Sequence, residues 1–199
     1  SRQMIRGLIL LEQGKLSDAL DALAKAERWM PDSADASFYF GTALSTDGQI
    51  AEGIAALQRA RRRDPSRTLI PEIYLALARL HLRKSDPNAA IKIWTELMET
   101  YPDSESITEK VARSLASENQ WQLARDAYGR LSKTTRSPDK QTQYRIRVIE
   151  MDERMGNDAK ARDALKSLVS RLRPGSWLHS DVARRLEESY LNAGDLEGL

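Results

Sequence analysis

The sequence predicts an all-α chain, an array of antiparallel helix pairs. Three observations predict it. Small and apolar residues return at a fixed period: Gly7 and Gly41, Leu10 and Leu44, Gly14 and Gly48, Leu23 and Leu57, Ala26 and Ala60, and Pro31 and Pro65 all lie 34 residues apart. A period of that length marks a repeat array, whose units bury their apolar faces only on one another. Glycines and prolines punctuate the chain where helices of one or two dozen residues begin and end. Apolar runs such as Ile5 to Leu11 lack period-2 alternation, so no strand is predicted.

Eleven helices follow in order, over about 2–13, 17–30, 34–47, 51–63, 71–84, 87–100, 104–117, 121–133, 138–155, 158–172 and 177–193. Pro71, Pro87 and Pro138 each open a first helical turn, where a missing N–H costs little. Asp86 and Ser137 precede two of these as N-caps, and Ser17 and Asn157 are the cap candidates for two others. Asp18 and Asp158 suit the first turn of a helix, and Arg61, Arg62 and Arg63 the negative end of one. Gly14, Gly48, Gly156 and Gly194 fall at turns between paired helices, where positive φ is needed. Ala19 and Ala26 let paired helices approach, and Leu23 and Leu57 fill the groove between successive units. Trp94, Tyr74, Tyr128 and Tyr190 belong to the core; Trp121 staples a turn; of Trp29 and Trp177 one is expected at the surface.

This frame resembles the tetratricopeptide repeat, a helix–turn–helix unit of about 34 residues. Gly7, Leu10, Ala19, Leu23, Ala26 and Pro31 fill one copy, and Gly41, Leu44, Gly53, Leu57, Ala60 and Pro65 the next. Tyr74, Leu77, Ala78, Ala90, Trp94, Leu97 and Pro102 make a third, after a three-residue insertion. Val111, Ala112, Leu115, Ala124, Tyr128 and Leu131 make a fourth. Val148, Gly156, Ala161, Leu165, Leu168 and Pro174 make a looser fifth, with Ile149 where a small residue belongs. Leu186, Tyr190 and Gly194 begin a sixth. A single array over residues 1–199 is expected, with repeats at about 1–33, 34–67, 71–104, 105–137, 138–175 and a truncated 176–199. Because the last repeat stops after its first helix, the chain reads as a fragment of a longer protein.

The resemblance implies a right-handed superhelix with a concave groove lined by the first helix of each pair. It implies a non-catalytic module that binds a protein or peptide there. The groove positions supply Phe38, Tyr39 and Thr42 in the second copy, Arg79 and Arg83 in the third, Lys110 and Arg113 in the fourth, and Arg147 in the fifth. One end is aromatic and the middle basic. Arginine forks suit carboxylates, so the expected partner segment is acidic or C-terminal. The same faces carry Glu109, Glu150 and Glu153, and intramolecular pairing with these is the competing account of the arginines. Met4, Leu8, Tyr39, Glu72 and Ala76 stand where chaperone-tail clamps carry Lys, Asn and Arg, so that ligand is disfavoured.

Other classes find little support. With 31 basic and 29 acidic residues the net charge is +2, too even to imply a polyanion partner. The run Arg59–Arg63 reads as a solvated helix end closed by Asp64, so no nucleic-acid partner is expected. There is no Cys, hence neither disulfide nor thiolate metal site. His81 falls at a packing position and His179 in a first helical turn, neither with a triad partner. Asp103, Glu105 and Glu109 belong to a helix start, which favours acids. No catalytic residue, metal or cofactor is assigned. No apolar run approaches the ~18 residues that span a bilayer, so no membrane partner is expected. The chain reads as soluble, cytoplasmic or periplasmic. The alternative to peptide binding is self-assembly, or docking within a larger protein, through exposed terminal helices carrying Leu186, Tyr190 and Leu191.

Overall fold

A computed structural model of the chain describes residues 1–194. Among the described residues there are eleven α-helices and no strand. They are α1 (Arg2–Glu12), α2 (Leu16–Trp29), α3 (Ala34–Thr46), α4 (Ile50–Arg62), α5 (Leu69–Arg83), α6 (Pro87–Thr100), α7 (Glu105–Ser117), α8 (Trp121–Thr134), α9 (Pro138–Arg154), α10 (Asp158–Val169) and α11 (Trp177–Ala193). The all-α array of antiparallel pairs is therefore observed. The chain divides into two compact units, Ser1–Tyr101 with α1–α6 and Pro102–Leu199 with α7–α11. The start of a second helix in the sixth repeat falls outside the described residues.

The turns inside the pairs share one geometry. Gly14, Gly48 and Gly156 have φ of 73°, 84° and 77°, and Ser85 and Asn119 hold the same turn with φ of 62° and 59°. The residue after each donates its N–H to the carbonyl five residues back, from Lys15 to Leu10, Gln49 to Leu44, Asp86 to His81, Gln120 to Leu115 and Asn157 to Asp152. A left-handed residue of this kind satisfies the last orphan carbonyls of the first helix. It also delivers the chain directly into the second.

Side-chain caps sit mostly at the first helices of pairs. Ser33, Ser104, Ser137 and Ser176 accept from the N–H of Ala36, Ile107, Lys140 and His179, and Asp86 accepts from Ala89 ahead of α6. Two expected caps are corrected. Lys15 flanks α2, so Ser17 lies inside the helix, and Asn157 precedes α10 without a side-chain cap bond. The helix at Pro71 begins two residues earlier, at Leu69, with Pro71 buried in its first turn, and α10 ends at Val169, short of residue 172.

In the first unit, Ala19, Leu23, Leu57, Ala60, Leu77, Leu80, Trp94 and Leu97 are all but completely buried. Each Leu contributes about 1.5–3 kcal/mol by leaving water. The helices of a pair cross where a side chain is missing. A Cβ on Gly41 would lie 2.9 Å from Leu57 Cγ and 3.2 Å from the Gly53 carbonyl oxygen. In the second unit, Ile146, Ile149, Ala161, Leu165, Leu168, Leu178 and Val182 form one buried cluster, with Leu186 packed on its edge. Ile149, large where other copies are small, is thus core. Tyr190 is also buried, and Arg162 lies 5.0 Å over its ring. Leu186 and Tyr190 are therefore not the exposed docking residues expected of the last helix; Leu191 is exposed.

Candidate protein-interaction surface

The first helices of the second unit share a cavity of about 450 Å³. Residues three and four apart lie on one helix face, and that spacing brings Glu109 and Arg113 of α7, Tyr144 and Arg147 of α9, and Trp177, Asp181 and Arg185 of α11 to its wall. Tyr128 of α8 closes it from behind, its ring 6.3 Å from that of Tyr144.

The polar groups form two chains of contacts, one from Lys140 to Arg113 and one from Arg147 to Asp181. Lys140 Nζ donates to Glu105 at 2.6 Å. Tyr144 Oη donates to Glu105 and Glu109 at 3.2 and 3.0 Å, and Arg113 reaches Glu109 at 2.7 Å. Glu150 accepts from Arg147 at 2.8 Å and from Arg185 at 2.7 Å, and Arg185 continues to Asp181 at 3.0 Å. Burial, then the hydrogen bond to Glu109, pushes the Tyr144 hydroxyl far above its ordinary value, so it stays a neutral donor. Burial raises the Asp181 carboxyl, but the Arg184 and Arg185 guanidiniums outweigh it and hold the group below the usual range. Glu153, beyond the cavity wall, is raised by burial and by the charge of Glu150. The arrangement carries three arginines against three acids, with exposed indole at its edge.

The structure brings Arg113 and Arg147 together on this cavity, each with an acidic partner on its own helix. Lys110 is half-buried on α7. The remaining predicted groove residues belong to the first unit. Phe38 and Tyr39 are half-buried and edge-on at 5.3 Å, and Thr42 donates its hydroxyl to the Phe38 carbonyl at 2.8 Å. Arg83 donates to the Ser45 carbonyl at 2.7 Å. Arg79 is exposed and has no polar partner among the described residues. Sequence reasoning missed Tyr144, Trp177 and Asp181. Counting one turn back from Arg147 would have found Tyr144, because α9 is longer than the helix the repeat frame supplies.

The basic run Arg59–Arg63 is not a free helix end. Arg59 holds Glu27 with two bonds of 2.9 Å, Arg63 holds Glu27 and the buried Ser37 hydroxyl, and Arg61 reaches Glu96 at 3.3 Å while lying 5.5 Å from the Tyr74 ring centre. Burial pushes the Glu27 carboxyl up, but hydrogen bonds from Arg59 and Ser37 and the charges of Arg59 and Arg63 bring it below the ordinary value. Glu27 and Glu96 lie far from the run in sequence, which is why composition alone suggested solvation.

His81 is largely buried with Nδ1 3.5 Å from Asp86, consistent with a packing role. Trp29 and Trp177 are both exposed, and Arg154 covers the Trp121 ring at 5.8 Å. Among the described residues no group of three His, Asp or Glu is placed to share a metal ion, and no helix is long and apolar enough to cross a membrane.

Comparison with known proteins bears on the same features. Tetratricopeptide repeat matches cover residues 10–70 and 75–139. No curated protein sequence matches the chain. A tetratricopeptide repeat protein from Parabacteroides merdae is similar in structure, with a TM-score of 0.62 and 15% identity over 98% of this chain and 73% of that one. A chain of the Cut9–Hcn1 hetero-tetramer of the APC/C has a TM-score of 0.56 and 17% identity over 97% of this chain, which spans only 36% of it. YrrB, described as a tetratricopeptide protein with an unusual peptide-binding site, has a TM-score of 0.54 and 14% identity over 92% of this chain and 90% of its own.

Proposed function

We propose, from the premise that this chain belongs to the tetratricopeptide repeat family, that it is a non-catalytic protein–protein interaction scaffold which holds a partner peptide on its first-helix faces. The observation that carries this reading is the cavity of the second unit, where three first helices present alternating arginines and acids beside an exposed Trp177. Such a surface offers orientation and charge exchange rather than a reacting group. The peptide-binding site in the description of YrrB supports the same reading by analogy of fold.

The partner segment is acidic or ends in a free carboxylate. In the second unit its carboxylates replace Glu109 on Arg113 and Glu150 on Arg147. Lys110 adds to the charge there, and in the first unit Phe38, Tyr39, Thr42, Arg79 and Arg83 offer a surface of the same kind by aromatic contact and by charge. Exchange of one ion pair for another yields modest net energy, so the affinity comes from several such contacts and falls with salt.

The test is capture from the source lysate by the wild-type chain and by the Arg79→Glu/Arg113→Glu variant. A protein captured by the first and lost by the second supports the reading. Equal capture by both removes the groove. Self-assembly then leads, since Ile5 and Ile9 of α1 are exposed, and light scattering would show a concentration-dependent dimer.

A further inference from the structure

A second cavity in the same unit has a different chemistry. It measures about 350 Å³ and lies between α8, α9 and α10. Its floor is apolar: Val148, Ile149, Ala164 and Leu168. Its rim is basic: Lys133 of α8, Arg145 of α9 and Arg171 just past α10. None of these three side chains has a hydrogen-bond or ion-pair partner among the described residues, and no described carboxylate lines the cavity. Arg125, the fourth cation at the wall, is already bound to the buried Asp152 at 2.8 Å. On α9 these residues occupy a different face from Tyr144 and Arg147, so this cavity is separate from the groove described above.

Gly129 is the second observation. It lies in the middle of α8, where glycine costs about 0.5–1 kcal/mol relative to alanine. Packing does not ask for it: a Cβ there would meet no atom within 4 Å. Its φ is not positive either. What the missing side chain does is leave the cavity open at its wall.

We propose that this cavity is a docking site for an acidic segment of a partner protein that carries one large apolar side chain. The apolar side chain enters over Gly129 onto Val148, Ile149 and Leu168. The flanking carboxylates meet Lys133, Arg145 and Arg171, cations that no intramolecular acid has neutralised. The size sits at the low end of ligand pockets, which run roughly 300–1,000 Å³, enough for a side chain. A nucleic-acid backbone would find an apolar floor and no extended basic track. The site is independent of the groove, and either can stand without the other.

The test is fluorescence anisotropy on the full chain with a short labelled peptide, acidic on both sides of a Leu-Phe pair. Binding to wild type is expected, weakened about tenfold or more by Arg145→Glu/Arg171→Glu, the scale of losing close charge contacts. The same loss is expected from Gly129→Leu, a change that favours the helix and fills the opening. Lys92→Glu, a charge reversal on the exposed face of α6, should leave binding unchanged. Circular dichroism confirms that each variant keeps its helices, and Lys133→Glu serves should a double variant not fold. Undiminished binding by Gly129→Leu, equal binding of a peptide with Ser-Ser in place of Leu-Phe, or no binding to wild type overturns the proposal. So does loss on Arg147→Glu alone, which assigns the peptide to the groove. Tighter binding of a single-stranded oligonucleotide, competing with the peptide, would make the site a polyanion site and overturn it as well.

Discussion

Gly41 and Gly129 are both helical glycines, and their surroundings assign them opposite consequences. Gly41 faces Leu57 Cγ at 2.9 Å, Ala56 Cβ at 3.1 Å and the Gly53 carbonyl at 3.2 Å, measured from where a Cβ would stand. Gly129 faces nothing. A methyl group on Gly41 must push Leu57 and a backbone carbonyl apart, and overpacking of that kind costs about 1–3 kcal/mol, only partly offset by alanine's helix propensity. Gly41→Ala should lower stability by about 1–2 kcal/mol on those terms, whereas Gly129→Ala should raise it by about 0.5–1 kcal/mol. Urea unfolding at constant slope reads both. Equal signs for the two would show that the crossing at Gly41 can relax. Only Gly41 was legible in the sequence, because Gly7 repeats it one period earlier. No sister copy has glycine at the place of Gly129, and nothing in one dimension shows that the space beside it is empty.

At the scale of the element, the turn inside each pair explains both what the sequence showed and what it hid. Glycine marks the turn in the first two copies and in the fifth, and those positions were readable. Ser85 and Asn119 hold the same left-handed turn in the third and fourth copies. Asn tolerates it, through local hydrogen bonding of its side chain; Ser has less to gain, and its Cβ meets the following carbonyl. Ser85→Gly should therefore stabilise the chain by about 0.5–1.5 kcal/mol, the size of the left-handed penalty less glycine's extra chain entropy. A thermal-unfolding midpoint that rises on Ser85→Gly supports this, and one that falls means the Ser85 side chain holds the turn in another way. The helix boundaries were legible to within a few residues because Pro and cap residues mark them. The basic run was not, because Glu27 and Glu96, which neutralise it, come from neighbouring repeats. The groove arginines were legible as positions on a helix face. Their ion-pair partners at Glu109 and Glu150 were legible only as a competing possibility.

For the whole molecule the question is how far a local loss travels. In a repeat array each unit packs on its neighbours and stability is close to a sum of local terms. Asp152 offers a clean perturbation. It is almost fully buried on α9 and holds Arg125 of α8 at 2.8 Å and Lys160 of α10 at 3.1 Å. Removing one member of such a pair leaves an uncompensated cation, at a cost of about 3–5 kcal/mol where burial is complete. Arg125 is 27% exposed and Lys160 58%, so water recovers part of this and about 2–3 kcal/mol is expected for Asp152→Ala. Amide hydrogen exchange locates the loss. Protection should fall across α8, α9 and α10, while α1 to α4, whose cores are built from Leu23, Ala26, Leu57 and Ala60, keep theirs. An equal fall in every helix would mean that the chain unfolds as one cooperative body and that the repeats do not add independently. The localised pattern would mean that the interaction surfaces of the second unit can be altered by mutation without loosening the first, which is the condition under which the binding tests above read binding rather than folding.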